Sequence, residues 1–220
     1  MIVRERYMRL IRDFMDKPVI KIITGMRRSG KSALLELTRQ ELLDRGVDRK
    51  NIIFINFESL RYEALRDYKA LYAEIIKIAG QTEGRIYVLL DEIQEVNTWE
   101  QVINSLRVDL DCDIYVTGSN AKLLSGELAT LLAGRYVEIQ VYPLDFEEYL
   151  AFAENEDEAK LSKQEQFANF LRFGGLPGIH QLKWDEDRVM QYLHDIYNSV
   201  LLKDVIARNR IRDTALLESI

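Results

Sequence analysis

The chain has 220 residues, of which 47% are hydrophobic, so it can form one large domain or a core with an appendage. Its net charge of −6 disfavours a broad nucleic-acid footprint, although a local basic patch would be compatible with that charge. Cys112 is the single cysteine, which excludes an internal disulfide, and no apolar run approaches the length of a membrane span. The first ten residues lack the apolar stretch of a secretory signal, so we expect a cytoplasmic globular protein.

Strand-like and helix-like segments alternate along the first two thirds of the chain. The apolar spacing predicts helices near residues 7–14, 31–45, 65–80 and 98–108, and strands near 19–24, 51–57, 85–92, 112–120 and 136–144. Thr98 and Gln101 have the spacing of a capping box at the start of the fourth helix. This alternation predicts a three-layer α/β fold with a mostly parallel five-stranded sheet covered on both faces. Ligands of such sheets bind beyond the carboxyl ends of the strands.

After Pro143 the pattern changes to helices only. We therefore divide the chain into a core with an N-terminal helix, residues 1–144, and a helical lid, residues 145–220. The last residues, TALLESI, are still helix-like and have no capping residue, so a further domain is expected after Ile220. A frayed native terminus is the alternative interpretation.

The most specific motif is the segment GMRRSGKS, residues 25–32, which follows the apolar run VIKIIT and precedes a helix-forming run. It matches the phosphate-binding loop G-x-x-x-x-G-K-S in its required strand–loop–helix context. Gly25 and Gly30 let backbone N–H groups face a polyphosphate at a helix N-terminus. Lys31 would contact the outer phosphates, and the hydroxyl of Ser32 would bind Mg²⁺. The motif therefore predicts a nucleoside triphosphate site.

Four further residues in and after this loop belong to the predicted nucleotide-binding set. They are Arg27, Arg28, Ser29 and Ala33. For the two arginines the alternative is that these variable loop positions point to solvent.

A pair of carboxylates, Asp91 and Glu92, ends the apolar run YVLL about sixty residues after the loop. This is a Walker B pattern: Asp91 would hold Mg²⁺ through water, while Glu92 would orient the attacking water. A glutamate directly after the aspartate is typical of additional-strand ATPases, and the GTPase tetrad N-K-x-D is absent from the sequence. The pair therefore favours ATP over GTP and hydrolysis over transfer to a small acceptor. Ordinary solvated acids at a strand end are the alternative.

Polar residues end two other predicted strands. Ser119 or Asn120, at the end of the fourth strand, would sense the γ-phosphate, and a turn with a helix cap is the alternative. Asn56, at the end of the second strand, would hydrogen-bond Glu92 and hold it inactive.

Arg135, before the fifth strand, is a candidate arginine finger for its own phosphates or those of a neighbouring subunit. The alternative is a surface arginine at the start of a strand. A finger that acts on a neighbour would require a homo-oligomer, which the sequence leaves open.

Four segments, ITGMRRSGKS, YVLLDEIQEVNTWE, YVTGSNAKLLSGELATLLAGRYVEIQVYPLDFEEYL and FGGLPGI, resemble those of a large prokaryotic family of AAA-type ATPase-core proteins, in the same order. The resemblance implies an ATPase core in which Ser119 lies near the first sensor, Arg135 is an arginine finger and the GGLPG segment belongs to the lid. It also implies a second, nuclease-like domain beyond Ile220. The sequence thus favours an ATPase that uses ATP and Mg²⁺ to drive movement. The alternatives are an ATP-gated regulatory module with little hydrolysis and a small-molecule kinase.

Overall fold

The computed structural model describes residues 2–118, 132, 134–154, 160–182 and 185–200. By their contacts, these residues group into two compact units. The first unit comprises residues within Met1–Met26 and Gly30–Tyr142, and the second comprises those within Arg27–Ser29 and Pro143–Ile220.

The first unit is built on a sheet of five parallel strands. These are β1 (Ile20–Gly25), β2 (Ile52–Asn56), β3 (Ile86–Asp91), β4 (Cys112–Thr117) and β5 (Tyr136–Val141). The strand order is β2-β3-β4-β1-β5, so β4 lies between the strand that leads into the phosphate loop and the strand that ends in Asp91. The predicted five-stranded sheet with an additional central strand is therefore confirmed, and every pair in it is parallel.

Among the described residues, four helices cover the two faces of this sheet. They are α1 (Glu5–Phe14), α2 (Lys31–Asp44), α3 (Tyr68–Ala79) and α4 (Trp99–Asp109). Alternate strand residues point to opposite faces: Val88 and Leu90 join one apolar cluster with α3 and α4, whereas Leu89 joins the other with α1 and α2. Both faces of the sheet are therefore buried, as the continuous apolar strands require.

The predicted third helix is confirmed as α3 but begins later than expected, and the predicted capping box of the fourth helix was wrong. The helical stretch over 65–80 is divided into a 3₁₀ segment, Leu60–Arg66, and α3, because Asp67 is extended and its side chain caps the second piece at Ala70 N–H. The capping box at Thr98 does not form. Thr98 has φ +53°, and its hydroxyl donates instead to the carbonyl of Asn97 at 2.8 Å.

A buried ion pair crosses from β1 to β4 near their amino ends. The ammonium of Lys21 contacts the carboxylate of Asp113, and both side chains are buried. Tyr115 Oη and the backbone N–H of Asp16 each donate to Asp113 Oδ2 at 2.9 Å. Burial lowers the pKa of Lys21 below its ordinary value, and the Asp113 carboxylate opposes that effect.

The second unit is helical. It contains α5 (Phe146–Ala153), α6 (Lys163–Phe173), a 3₁₀ segment (Pro177–Gln181) and α7 (Glu186–Val200). Capping boxes begin α5 at Asp145 and α6 at Ser162. The unit has its own apolar core, formed by Leu144, Tyr149, Phe173, Leu176, Ile179, Val189 and Ile196. No helix in the described part of the chain is long and apolar enough to cross a membrane.

Candidate functional site

The segment between β1 and α2 has the backbone of a tight loop. Gly25 has φ +148° and Gly30 has φ +101°, and Arg28 is one of the few residues with a side chain at positive φ, +65°. Gly30 is the residue immediately before α2, in the left-handed region that a Cβ disfavours. Glycine is therefore favoured at position 30 by the backbone conformation and not by steric crowding, since a Cβ there would meet no atom within 4 Å.

Lys31 is the first residue of α2 and is only 5% exposed. Its ammonium donates a hydrogen bond to the carbonyl of Met26, 3.1 Å away, so the side chain turns back along the loop. A buried cation beside the N-terminus of a helix adds to the positive end of the helix dipole. The loop thus concentrates positive charge where an anion would bind.

Ser32, on the first turn of α2, lies in contact with Asp91, although β1, which leads into the loop, is not a neighbour of β3 in the sheet. The hydroxyl of Ser32 donates to Asp91 Oδ1 at 3.0 Å. Asp91 is the last residue of β3 and its exposed fraction is 0%, whereas Ser32 is exposed. The fold therefore brings the loop hydroxyl and the strand-end carboxylate together at the carboxyl edge of the sheet.

Asn56 contacts Asp91 and not Glu92, so that part of the sequence prediction was wrong. Its side-chain amide donates to Asp91 Oδ2 at 3.0 Å. The reason is the strand register, since Asn56 and Asp91 are direct partners on the parallel strands β2 and β3. Neighbouring side chains in register point to the same face, which places the amide beside Asp91.

Glu92 follows β3 in a left-handed backbone conformation, with φ +55° and ψ +48°. Its N–H donates to the hydroxyl of Thr117 at 3.0 Å, and its carboxylate accepts a hydrogen bond from the side-chain amide of Gln94. The side chain is half-buried. Glu92 is therefore turned away from the strand direction and held at both its backbone and its carboxylate.

Thr117 and Gln94 are the two contacting residues that sequence reasoning missed. Thr117 ends β4, is fully buried and donates its hydroxyl to Asp91 Oδ1. A hydroxyl directly after the apolar run of residues 114–116 was a signal for it, because the carboxyl ends of neighbouring parallel strands meet. The predicted sensors in the same region, Ser119 and Asn120, lie outside the described residues.

The middle of the loop, Arg27–Ser29, groups with the second unit. Within that unit the guanidinium of Arg28 lies 5.1 Å from the ring centroid of Tyr192 on α7, in cation–π geometry. Arg28 is exposed, Arg27 is half-buried and Ser29 is buried. Ala33, on the first turn of α2, is half-buried.

Arg135 lies at the opposite end of the sheet from the loop. Its carbonyl accepts the N–H of Ile20, and β1 and β5 then pair from Ile20 with Tyr136 to Gly25 with Val141. Five steps along a strand span about 16 Å, which is longer than an arginine side chain. The interpretation in which Arg135 contacts phosphates on its own loop is therefore wrong.

The chain is similar in sequence to proteins of a bacterium and an archaeon. It is 41% identical over all of its 220 residues to an uncharacterized protein of Haemophilus influenzae, and it covers 54% of that protein. It is 32% identical over 203 residues, 88% of the chain, to an uncharacterized protein of Methanocaldococcus jannaschii, of which it covers 43%. The chain thus spans about half the length of the curated relatives that it matches.

Several solved structures share the fold. Hsp104 of Saccharomyces cerevisiae, in a complex with casein, matches with a TM-score of 0.55 and 15% identity over 93% of this chain and 39% of that one. A mutant of Thermotoga maritima RuvB matches with a TM-score of 0.54 and 16% identity over 82% of this chain and 60% of that one. Aeropyrum pernix ORC1, in complex with DNA, matches with a TM-score of 0.51 and 14% identity over 89% of this chain and 66% of that one.

A protein-family model described as "AAA domain" matches residues 17–150, more than half of the chain. The matched segment contains the loop, all five strands and the residues around Asp91. The structural neighbours agree with it in fold. The chain therefore belongs to the AAA domain family.

Proposed function

We propose that this protein binds ATP and Mg²⁺ at the loop of residues 25–32 and hydrolyses the ATP to drive a conformational change in an attached or partner domain. The observation that carries the proposal is the 3.0 Å hydrogen bond between Ser32 and Asp91. It joins the hydroxyl of a loop with the phosphate-binding sequence pattern to a buried carboxylate at the carboxyl edge of a parallel sheet. That is where a nucleotide and its metal bind in such folds.

The residues present fit Mg²⁺ and a triphosphate. Mg²⁺ takes hard oxygen ligands and is commonly held by one or two carboxylates together with substrate phosphates. Ser32 and Asp91 offer a hydroxyl and a carboxylate in contact, so they would hold the ion, and Lys31 would contact the phosphates. When bound, Mg²⁺ would reduce the negative charge on the phosphate oxygens. Among the described residues no group of three or more His, Cys, Asp or Glu side chains forms a metal site made of protein ligands alone.

Other residues of the chain would activate the attacking water and bind the phosphates. Glu92 would accept a hydrogen bond from the attacking water and polarise it, since a half-buried carboxylate next to the metal-binding aspartate can act as the base. Lys31 and the N–H groups at the start of α2 would bind the transferred phosphoryl group electrostatically. Ser119 stays a predicted sensor of the γ-phosphate, and residues 145–220 stay a predicted lid.

A second candidate is an ATP-gated regulatory module with little hydrolysis. The hydrogen bond from the amide of Gln94 to the carboxylate of Glu92 favours it, because that carboxylate is engaged before any water is positioned. In this alternative a partner or a second subunit would release Glu92.

Turnover of ATP by the purified protein tests the proposal. Lys31→Ala should abolish ATP binding, because it removes the buried cation of the loop. Glu92→Gln should retain ATP binding and lower kcat by roughly a hundredfold or more, since general-base catalysis contributes factors of this size. Lys77→Ala, which removes an exposed lysine from α3, is the matched control and should behave as wild type.

Three outcomes of these measurements distinguish the ATPase from the other candidate functions. Binding without turnover in wild type would support the regulatory module, and release of ADP only when a small acceptor is added would support a kinase. Calorimetry that detects no binding of ATP to folded wild-type protein in the presence of Mg²⁺ would contradict both candidates.

A further inference from the structure

The hydroxyl of Thr117 stands between the two acidic residues of the candidate site. It donates a hydrogen bond to Asp91 Oδ1 and accepts one from the backbone N–H of Glu92 at 3.0 Å. Thr117 is fully buried at the end of β4, the strand that lies between β1 and β3. Water therefore does not compete for either hydrogen bond.

The directions of both hydrogen bonds are fixed by chemistry. An ionised carboxylate only accepts and a backbone N–H only donates, so the single hydroxyl proton must point to Asp91 and a lone pair must face Glu92. The Cβ of Thr117 is branched, which restricts its side-chain rotamer on a strand. The hydroxyl is consequently held in one orientation with two different partners.

Both Asp91 and the backbone of Glu92 are stabilised by their hydrogen bonds to Thr117. Glu92 has a left-handed backbone that is uncommon for a residue with a Cβ, and it persists only where the surroundings stabilise it. Asp91 is fully buried, and its carboxylate accepts from Thr117 and Ser32 on one oxygen and from Asn56 on the other. If Ser32 turns toward a metal ion, Thr117 and Asn56 remain to orient the carboxylate.

We propose that Thr117 is a positioning residue for the candidate ATPase site: one hydroxyl sets both the orientation of the Asp91 carboxylate and the backbone from which Glu92 projects. The inference rests on the proposed function, because its catalytic consequence requires that Asp91 and Glu92 act on Mg²⁺ and water. Its geometric content, the fixed N–H of Glu92, does not depend on nucleotide. The orientation of the Asp91 carboxylate and the backbone position of Glu92 would thus depend on the same hydroxyl group.

The first test compares Thr117→Val, which removes the hydroxyl at nearly constant shape, with Thr117→Ser, which keeps it. We expect Thr117→Val to lower kcat at least about tenfold, and to reduce the gain in ATP affinity that Mg²⁺ provides in calorimetry, while affinity measured in EDTA stays unchanged. Thr117→Ser should lose less than about threefold in kcat. Equal losses in the two variants, or none in Thr117→Val, would overturn the proposal.

Thr38→Val is the matched control. Thr38 is also a fully buried threonine of the first unit, and its hydroxyl donates to the carbonyl of Leu34 within α2 at 2.9 Å. Its replacement should leave both kcat and the effect of Mg²⁺ on ATP affinity unchanged. A change as large as that of Thr117→Val would assign the effect to loss of any buried hydroxyl, which also overturns the proposal.

Hydrogen exchange of the Glu92 amide in the wild-type protein without nucleotide provides a test that needs no variant. The proposal expects this amide to be protected, because its N–H is bonded to a buried oxygen. Exchange at the rate of an unprotected amide would overturn the inference even if ATP is hydrolysed. Protection in a protein that binds no ATP would leave the geometry standing and contradict only the proposed function.

Discussion

Burial changes the chemistry of single side chains in this protein, and Cys112 illustrates it. Cys112 begins β4, and its thiol lies 3.5 Å from the carbonyl of Leu106 on α4. Burial raises the pKa of this thiol from 9.0 to about 11, and the carboxylates of Asp113 and Asp111 add to the effect. The thiolate is the reactive form of cysteine, so the folded chain should protect this residue.

We predict that the folded protein reacts with a thiol-specific disulfide reagent at pH 8 about a hundredfold more slowly than the unfolded protein, since two pKa units reduce the thiolate fraction by about that factor. The measurement is the absorbance of the released thiol with and without denaturant. Cys112 is the single cysteine of the chain, so the whole signal comes from it. Equal rates in the two states would contradict the raised pKa.

At the scale of secondary structure elements, the backbone of the segment after α6 packs closely against the backbone of Leu144. The helix ends at Phe173, and Gly174 follows with φ +75°. Gly175 has a different role, because its carbonyl accepts the N–H of Leu144 at 2.6 Å, and a Cβ on it would lie 2.1 Å from the carbonyl oxygen of Leu144. That obstacle is backbone, so a rotamer change cannot relieve it.

We predict that Gly175→Ala destabilises the second unit by about 1–3 kcal/mol, the usual cost of forcing extra atoms into a packed site. The check is denaturant unfolding followed by circular dichroism. Gly80→Ala is the control, because a Cβ there would meet its nearest atom, the carbonyl oxygen of Ile76, at an ordinary 3.5 Å. That variant should stay within about 0.5 kcal/mol of wild type, and similar losses in the two variants would refute the steric argument.

At the scale of the whole molecule, the parallel sheet separates Arg135 from the phosphate loop. The loop follows the carboxyl end of β1, whereas Arg135 precedes the amino end of β5 and is exposed. If Arg135 is an arginine finger, it must therefore act on a neighbouring copy. Such a contact joins two different surfaces and is head-to-tail, which generates rings or filaments.

Mixing two inactive variants tests this arrangement. Arg135→Ala and Lys31→Ala should each be nearly inactive alone, and their equimolar mixture should regain up to about a quarter of wild-type activity, because random pairing completes that share of interfaces. Wild-type specific activity should also rise with protein concentration. If Arg135→Ala alone is fully active, Arg135 is a surface arginine. If it is inactive and the mixture regains nothing, head-to-tail action of Arg135 on a neighbour is refuted.

The fold and the candidate site were predictable to different degrees. Sequence alone located the loop, because Gly30 and Lys31 satisfy a local backbone and charge requirement that neighbouring residues reveal. It also located the strand that ends in Asp91, since a buried strand is read from its own composition. The position of α4 was also predicted, but the capping box at Thr98 was not formed, because Thr98 has a left-handed backbone and its hydroxyl donates to the carbonyl of Asn97.

The sequence by itself therefore determined the parallel α/β core, the loop and the strand-end acids, since each is encoded by residues close together in the chain. Only the tertiary structure decided that Asn56 contacts Asp91 and that Thr117 joins Asp91 to Glu92. It also decided that Arg135 lies at the far end of the sheet. The physical reason is that strand order and register arise from packing between distant segments, and a change of one position in register would give each side chain a different neighbour.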